Sequence, residues 1–367
     1  MARGGRMLTK QDELLCHQIA STFDHVADSA VQWTERLWCC AHDTSGRIHF
    51  TTAFGKYPNR DIIDGLGLLT IEGKRQYNIR ASRQLRPQID EVKVGPLSYE
   101  VVEGLKRVRW VLDDNEHGIS WEVEFEGRMP PHEEVPQFAR SRGRLVENIC
   151  RYAQSGRASG WVKVEEKKYN IEPDSWYAHR DHSWGIRRTG VAVEQGLPPD
   201  EDFVGFFLNW NIIQFENWCL TCHLREDHNG KVVYFSGGVT YAYESGKPAT
   251  ELVSAQHNYK FNPATRQLES GHVVYTAADG SKIEISVQAL THLYLWPGGY
   301  FTYKGFSHGM WMGKNWMDGE KLDISDRNVV AQVSLLNDNM CRCRCGNDTG
   351  YGIVEIAVIG KHPQYGA

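Results

Sequence analysis

After residue 35 the chain alternates apolar and polar positions in short runs, the two-residue period of a strand with one buried face. RLWCCAH (36–42), RIHFTTAFG (47–55), KRQYNIRAS (74–82), KRVRWVL (106–112), GISWEVEFEG (118–127) and GWVKVEEKKYNI (160–171) read this way. So do KVVYFSGGVTYAY (231–243), HVVYTAA (272–278) and KIEISVQAL (282–290). The tetrapeptides DTSG (43–46), DHNG (227–230) and ADGS (278–281) mark tight connections between such runs. Hairpin spacing predicts antiparallel pairing, hence an all-β protein rather than a parallel α/β fold. Helix is expected only near DELLCHQIASTF (12–23), as a peripheral element, and within PPHEEVPQFARSRGRLVENICRYAQ (130–154). The prolines of MPPHEEVP (129–136) mark an interruption rather than a central strand.

WCCAHDTSGRIHF (38–50) is echoed by WCLTCHLREDHNGKVVYF (218–235). Each starts with a tryptophan–cysteine strand, passes a histidine and an Asp–Gly turn, and resumes in an aromatic-ended strand. A repeated hairpin implies duplicated β-domains. The proline of IEPDSW (171–176) places the boundary there, giving domains 1–172 and 173–367. A chain of 367 residues accommodates two such units.

Composition narrows the function classes. Net charge is −5 and no basic stripe is present, which argues against a nucleic-acid partner. RASRQLRPQ (80–88) reads as solvated surface. No segment reaches 18 consecutive apolar residues and the N-terminus lacks the apolar core of a signal peptide. A cytoplasmic protein without a membrane span is expected, its nine cysteines mostly free thiols. The twelve tryptophans suit sheets that enclose a core or an apolar pocket.

YAHRDHSWGIRR (177–188) concentrates the candidate chemistry. On a strand Tyr177, His179 and Asp181 share one face, while His182, Trp184 and Ile186 take the other. A buried carboxylic acid at Asp181 could donate a proton to an alkene or carbonyl, with His179 or His182 setting its hydrogen bonds and Tyr177 orienting substrate. An Asp–His hydrogen-bond network serving only the fold is the competing reading.

The segment DHSWGIR, preceded by Trp176 and Tyr177, resembles the characteristic stretch of the AttH/carotenoid 1,2-hydratase-like family. The resemblance implies two consecutive antiparallel lipocalin-like β-barrels with minor helical elaborations. It also implies chemistry of the kind found there: hydration of isoprenoid double bonds, or cyclisations and rearrangements. The motif falls on Asp181, His182, Ser183, Trp184 and Gly185, and makes Asp181 the proton donor. Ser183 departs from the glutamine common in the hydratases, which detaches the resemblance from a carotenoid substrate.

CLTCH (219–223) has the spacing of a haem-attachment site, but its setting reads as a strand with Cys219, Thr221 and His223 on one face and Cys222 on the other. CRCRCG (341–346) would place Cys341, Cys343 and Cys345 together; a surface or edge strand of reduced thiols is expected, and no metal or other cofactor. For an apolar ligand wall the candidates are Trp184, Trp210, Asn211 and His223. The aromatic-rich stretch 291–319 adds His292, Tyr294, Trp296, Tyr303, His308 and Trp311. The reading that joins these features is a cofactor-independent hydratase, isomerase or cyclase acting on a hydrophobic isoprenoid, polyketide or aromatic molecule. A non-catalytic lipid or pigment carrier and a metal-dependent hydrolase are its alternatives; the oligomeric state is not written in the sequence.

Overall fold

The structure, a computed structural model, describes residues 7–187 and 204–366. All its strand pairs are antiparallel, and they form two units. Gly205–Gln214, Trp218–Asp227, Val232–Tyr241, Thr250–Phe261, Leu268–Ala277, Lys282–Tyr294, Leu336–Cys345 and Asp348–Gly360 follow one another around a closed eight-stranded barrel. Pairing of Gly205 with Gly360 through Gln214 with Tyr351 closes the ring.

The other unit is a curled but open sheet, not the second closed barrel expected. Its central path runs Arg75–Gln84, Ile62–Ile71, Ile48–Tyr57, Trp33–Asp43, Trp176–Ile186, Arg144–Val164 and Ile119–Gly127. Leu97–Glu103 lies near the far end and curls back to pack on Ile62–Ile71 without joining it as a sheet neighbour. Closure is blocked because Asn315–Asp323, from far along the chain, hydrogen-bonds the free edge of Arg75–Gln84. Trp176–Ile186 lies deep in this first sheet, between Trp33–Asp43 and Arg144–Val164.

Both echoed stretches are hairpins, pairing Trp33–Asp43 with Ile48–Tyr57 and Trp218–Asp227 with Val232–Tyr241. Helix is scarcer than the sequence suggested. The stretch 130–154 is extended, contributing His132–Glu133, Gln137–Ser141 and the start of Arg144–Val164. Leu145, Val146, Ile149 and Cys150 have helical spacing, but cross-strand partners on both sides override local preference. Near the N-terminus only a short turn, Lys10–Glu13, forms; Leu14, Leu15 and Ile19 are exposed and lack the apolar surface that would hold a helix. The described α-helix is Arg327–Val333, capped by the Asp326 side chain accepting from the Asn328 amide at 2.8 Å. No helix among the described residues is long and apolar enough to cross a membrane.

The three largest apolar cores among the described residues follow from the alternation. One fills the cup of the first sheet, around Phe50, Trp110, Trp121 and Phe125. A second fills the barrel, with Phe207, Tyr259, Tyr275, Cys341 and Cys343. The third joins the outer faces of the two units through Trp38, Cys40, Leu68, Trp210, Ile353 and Met340. Trp121 is fully buried and its ring lies 4.9 Å from that of Phe50. Trp121→Ala is expected to lower unfolding free energy by about 3–5 kcal/mol in urea melts; a loss under about 1 kcal/mol would show that the ring is not packed as described.

Two surface expectations are corrected by burial. Arg80 is 1% exposed, held by Asp318 and Glu320 from the crossing strand Asn315–Asp323. Cys341 and Cys343 point into the barrel, on a strand paired on both sides rather than at an edge. The nine cysteines are free thiols. Cys219 and Cys222 belong to different cores on opposite sides of the barrel wall, so the CLTCH thiols cannot grip one group together.

Candidate functional site

Where the units meet, strand register lines up side chains in rows, because alternate residues of neighbouring strands share a face. On the first sheet one row reads Ala153, Asp181, Trp38, Ala53. The next row is Arg151, Ser183, Arg36, Gly55. On the barrel's outer face a row reads His223, Trp210, Glu355, Asp338. Ala153 and Ala53 are short, so Asp181 and Trp38 project between them. The Trp38 ring meets that of Trp210 edge-on at 5.5 Å.

These rows enclose a cavity of about 90 Å³ lined by Arg36, Leu37, Trp38, Arg151, Asp181, Ser183, Arg187, Trp210, Tyr300 and Glu355. Pockets that enclose drug-sized ligands span roughly 300–1,000 Å³. This one takes a few waters or the reacting end of a larger molecule. Gly185 carries the strand on toward Arg187 with φ at +127°, and a Cβ there would lie 1.9 Å from the Asn148 carbonyl oxygen. Only glycine fits this close approach.

An ion-pair chain forms one wall. Arg151 Nε lies 3.0 Å from Asp181 Oδ2, and Arg151 also approaches Glu134 at 3.6 Å. Glu134 accepts from the Trp210 indole at 2.9 Å and contacts His223 Nδ1 at 2.9 Å. Burial would raise the Glu134 carboxyl, but Arg151 and His223 outweigh it and hold it well below the usual range. On the opposite wall the Arg36 guanidinium stacks 5.0 Å from the Tyr300 ring and reaches His308 Nδ1. His308 Nε2 donates to the Gly298 carbonyl at 3.0 Å, which leaves Nδ1 bare to accept from Arg36.

Burial raises the carboxyls at and behind the cavity. Burial pushes Glu355 up to about 7, with Arg151 opposing the shift and Asp181 adding to it. Asp338, directly across the strand pair from Glu355, is raised well above the ordinary value by burial and by that neighbour. Asp181 is raised by burial, with its Arg151 partner pulling the other way. Acids whose values are raised in the fold keep protons that the unfolded chain has released above about pH 4–5. Their contribution to stability is therefore full at low pH and is lost as pH rises through their folded values, near 7 for Glu355. Asp338→Asn is expected to melt with a smaller fall in Tm between about pH 6 and 9 than the parent. An unchanged slope would mean that Asp338 is ionised throughout.

The run 177–188 is divided by the sheet. Asp181 and Ser183 line the cavity. His179 lies on the same face farther along the strand, its Nδ1 2.6 Å from Ser155 Oγ and its Nε2 3.1 Å from His42 Nε2. Tyr177 packs beneath the Arg157 guanidinium, 3.7 Å away. His182 faces the cup of the first sheet, 2.9 Å from Glu35, with Trp184 beside it. Arg188 lies outside the described residues.

The expected ligand wall is likewise dispersed. Trp210 lines the cavity, His308 supports Arg36, and His223 supports Glu134 behind the wall. Asn211 is inside the barrel, donating to Tyr275 Oη at 2.9 Å. His292 pairs with Asn339 at 2.8 Å. The Tyr294 hydroxyl accepts from Gln267 at 2.7 Å, and Trp296 donates to the Thr302 carbonyl at 3.1 Å. Tyr303 lies under Arg80, and Trp311 is exposed. Residues missed by sequence reasoning are Arg36, Trp38, Arg151, Tyr300, Asp338 and Glu355; Arg187 stood in the singled-out run without a role. Among the described residues no three His, Cys, Asp or Glu side chains converge as a metal site.

Solved structures resemble this fold at low sequence identity. A candidate AttH protein from Nitrosomonas europaea superposes with a TM-score of 0.56 at 11% identity, covering 96% of this chain and 97% of that one. The protein CghA, in complex with Sch210972, gives 0.51 at 9% identity over 90% and 89% of the two chains. The expected likeness to AttH proteins is thus present as a distant likeness of fold. No curated protein sequence matches the chain. Across residues 8–367 it matches DUF8625, and the chain belongs to that family of unknown function.

Proposed function

We propose that the inter-sheet cavity is the centre of an acid–base reaction on a small organic molecule, with Glu355 and Asp181 handling the proton. The observation that carries this reading is one cavity faced by two carboxyls of unlike environment. Burial pushes Glu355 up to about 7 beside Asp338, another carboxyl that burial raises, while Asp181 is held against Arg151. Both are raised by burial, but only Asp181 has a guanidinium 3.0 Å away, and such a difference of surroundings divides a pair into acid and base.

In its acid form Glu355 donates a proton to an alkene or carbonyl placed between the walls. Positive charge that develops there faces the Trp38 and Trp210 rings. Asp181, as carboxylate, then takes a proton from water or from an adjacent carbon. Water entering gives hydration; its exclusion gives isomerisation or cyclisation. A hydrophobic isoprenoid, polyketide or aromatic substrate would place only its reacting end in about 90 Å³. CghA binds Sch210972 on a fold of this kind, which supports a small-molecule ligand. The carrier alternative has less support, because aromatic and aliphatic side chains fill the barrel axis.

The test is a screen of apolar metabolites with parent protein and Glu355→Gln in parallel, read by mass for gain of water or same-mass rearrangement. Conversion by the parent and not by the variant is expected. Conversion at equal rates by both would overturn the assignment of the proton to Glu355.

A further inference from the structure

The cavity holds more positive charge than its own carboxyls balance. Arg151 is paired with Asp181 and Glu134. Arg36 and Arg187 line the same space, yet among the described residues neither has a carboxylate within ion-pair distance. Their close partners are neutral: the bare His308 nitrogen and the Tyr300 ring for Arg36, the Ser183 hydroxyl for Arg187. Charges this enclosed ordinarily have a counter-charge, since desolvation without one is costly.

We propose that Arg36 and Arg187 receive the carboxylate of the substrate, so that the molecule acted on between Glu355 and Asp181 is an apolar acid. This rests on the acid–base reading above and names its substrate class. Geometry supplies the first argument, because two planar guanidiniums on one small cavity are suited to a planar oxyanion. Charge supplies the second. The lining itself carries three guanidiniums and two carboxyls, Asp181 and Glu355, an excess of one positive charge, while Glu134 and Asp64 face Arg151 and Arg36 from outside it. A monoanion neutralises that excess, whereas a phosphate dianion would crowd Asp181. Burial, then Arg151 and Arg36, bring Arg187 down to about 9, whereas Arg36 stays raised against its burial through Tyr57, Tyr300, Asp64 and Asp181. Leu37, Trp38 and Trp210 provide the apolar surface that the rest of an acid's carbon chain would contact.

Calorimetry and thermal melts at fixed ionic strength, with butyrate, butyramide and inorganic phosphate as probes, decide the matter. Butyrate is expected to bind and raise Tm, with butyramide at least tenfold weaker and phosphate weaker than butyrate. Arg187→Gln and Arg36→Gln should each weaken butyrate at least tenfold. Arg187→Gln should melt no lower than the parent without ligand, because an unpaired charge is removed. Glu355→Gln should keep butyrate binding. Equal affinity for butyramide, tighter phosphate, no butyrate binding, or unchanged affinity in both arginine variants would each overturn the proposal. Butyrate binding that depends on the arginines, in a protein whose turnover ignores Glu355→Gln, would retain the acid site and sink the acid–base reading. Turnover of a neutral substrate that is indifferent to Arg187→Gln would do the reverse.

Discussion

Replacement of Glu355 by glutamine is expected to lower turnover by about 10²–10⁴-fold, the usual span for loss of a positioned general acid. The amide keeps the size of the side chain and its place between Trp210 and Asp338 in the strand register. It removes a cavity carboxyl that burial pushes up to about 7. The pH profile should change with it. An acid that acts in its protonated form is lost as pH rises, so parent kcat/KM is expected to fall through about 7. Glu355→Gln should show no such limb in its residual rate. The variant should also be the more stable above neutrality, since the folded parent must then carry a buried carboxylate or hold a proton against its release. A parent profile flat from about pH 6 to 9, together with full activity in the variant, would remove Glu355 from the reaction.

Why Glu355 escaped notice in the sequence is a matter of how sheets make sites. In YGIVEIAVIG, residues 351–360, it is one polar residue on an alternating strand, with nothing local to distinguish it. Its chemistry arises from cross-strand neighbours, Trp210 and Asp338, and from the first sheet packed over them. Arg36 and Arg151 were obscured in the same way, each an alternate residue of its own strand. Asp181, Ser183 and Arg187 were legible because one short run carries all three within seven residues. That same run overstated the site, since the pleat sends His182 and Trp184 to the opposite face.

The fold was legible to the same depth. Period-two alternation and the Asp–Gly turns locate hairpins such as Trp218–Asp227 with Val232–Tyr241. Closure of a sheet is a non-local property. Nothing in NWMDGEKLD (315–323) announces that it will pair with Arg75–Gln84 and leave the first sheet open. The misread stretch 130–154 shows the complementary limit: a helical spacing of apolar residues was overruled by partners from strands distant in sequence.

Asp181→Asn is expected to reduce turnover by about 10²–10⁴-fold while the protein stays folded. The substitution removes the carboxylate facing Arg151, but Glu134 remains as a second partner, so the guanidinium is not left without a counter-charge. Loss of the base should appear in kcat more than in KM, because the amide preserves the cavity's shape. His179→Gln and His182→Gln then separate catalysis from support. His179 is fully buried and ties Ser155 to His42, so its replacement should cost stability. Unlike Asp181→Asn, it should retain most of the parent rate at temperatures where it is folded. His182 faces the cup of the first sheet beside Glu35, and its replacement should leave both rate and pH profile close to the parent's. If Asp181→Asn turned substrate over at the parent rate, the Arg151–Asp181 pair would be a structural seam between the two units, and the base would have to be sought elsewhere on the cavity wall.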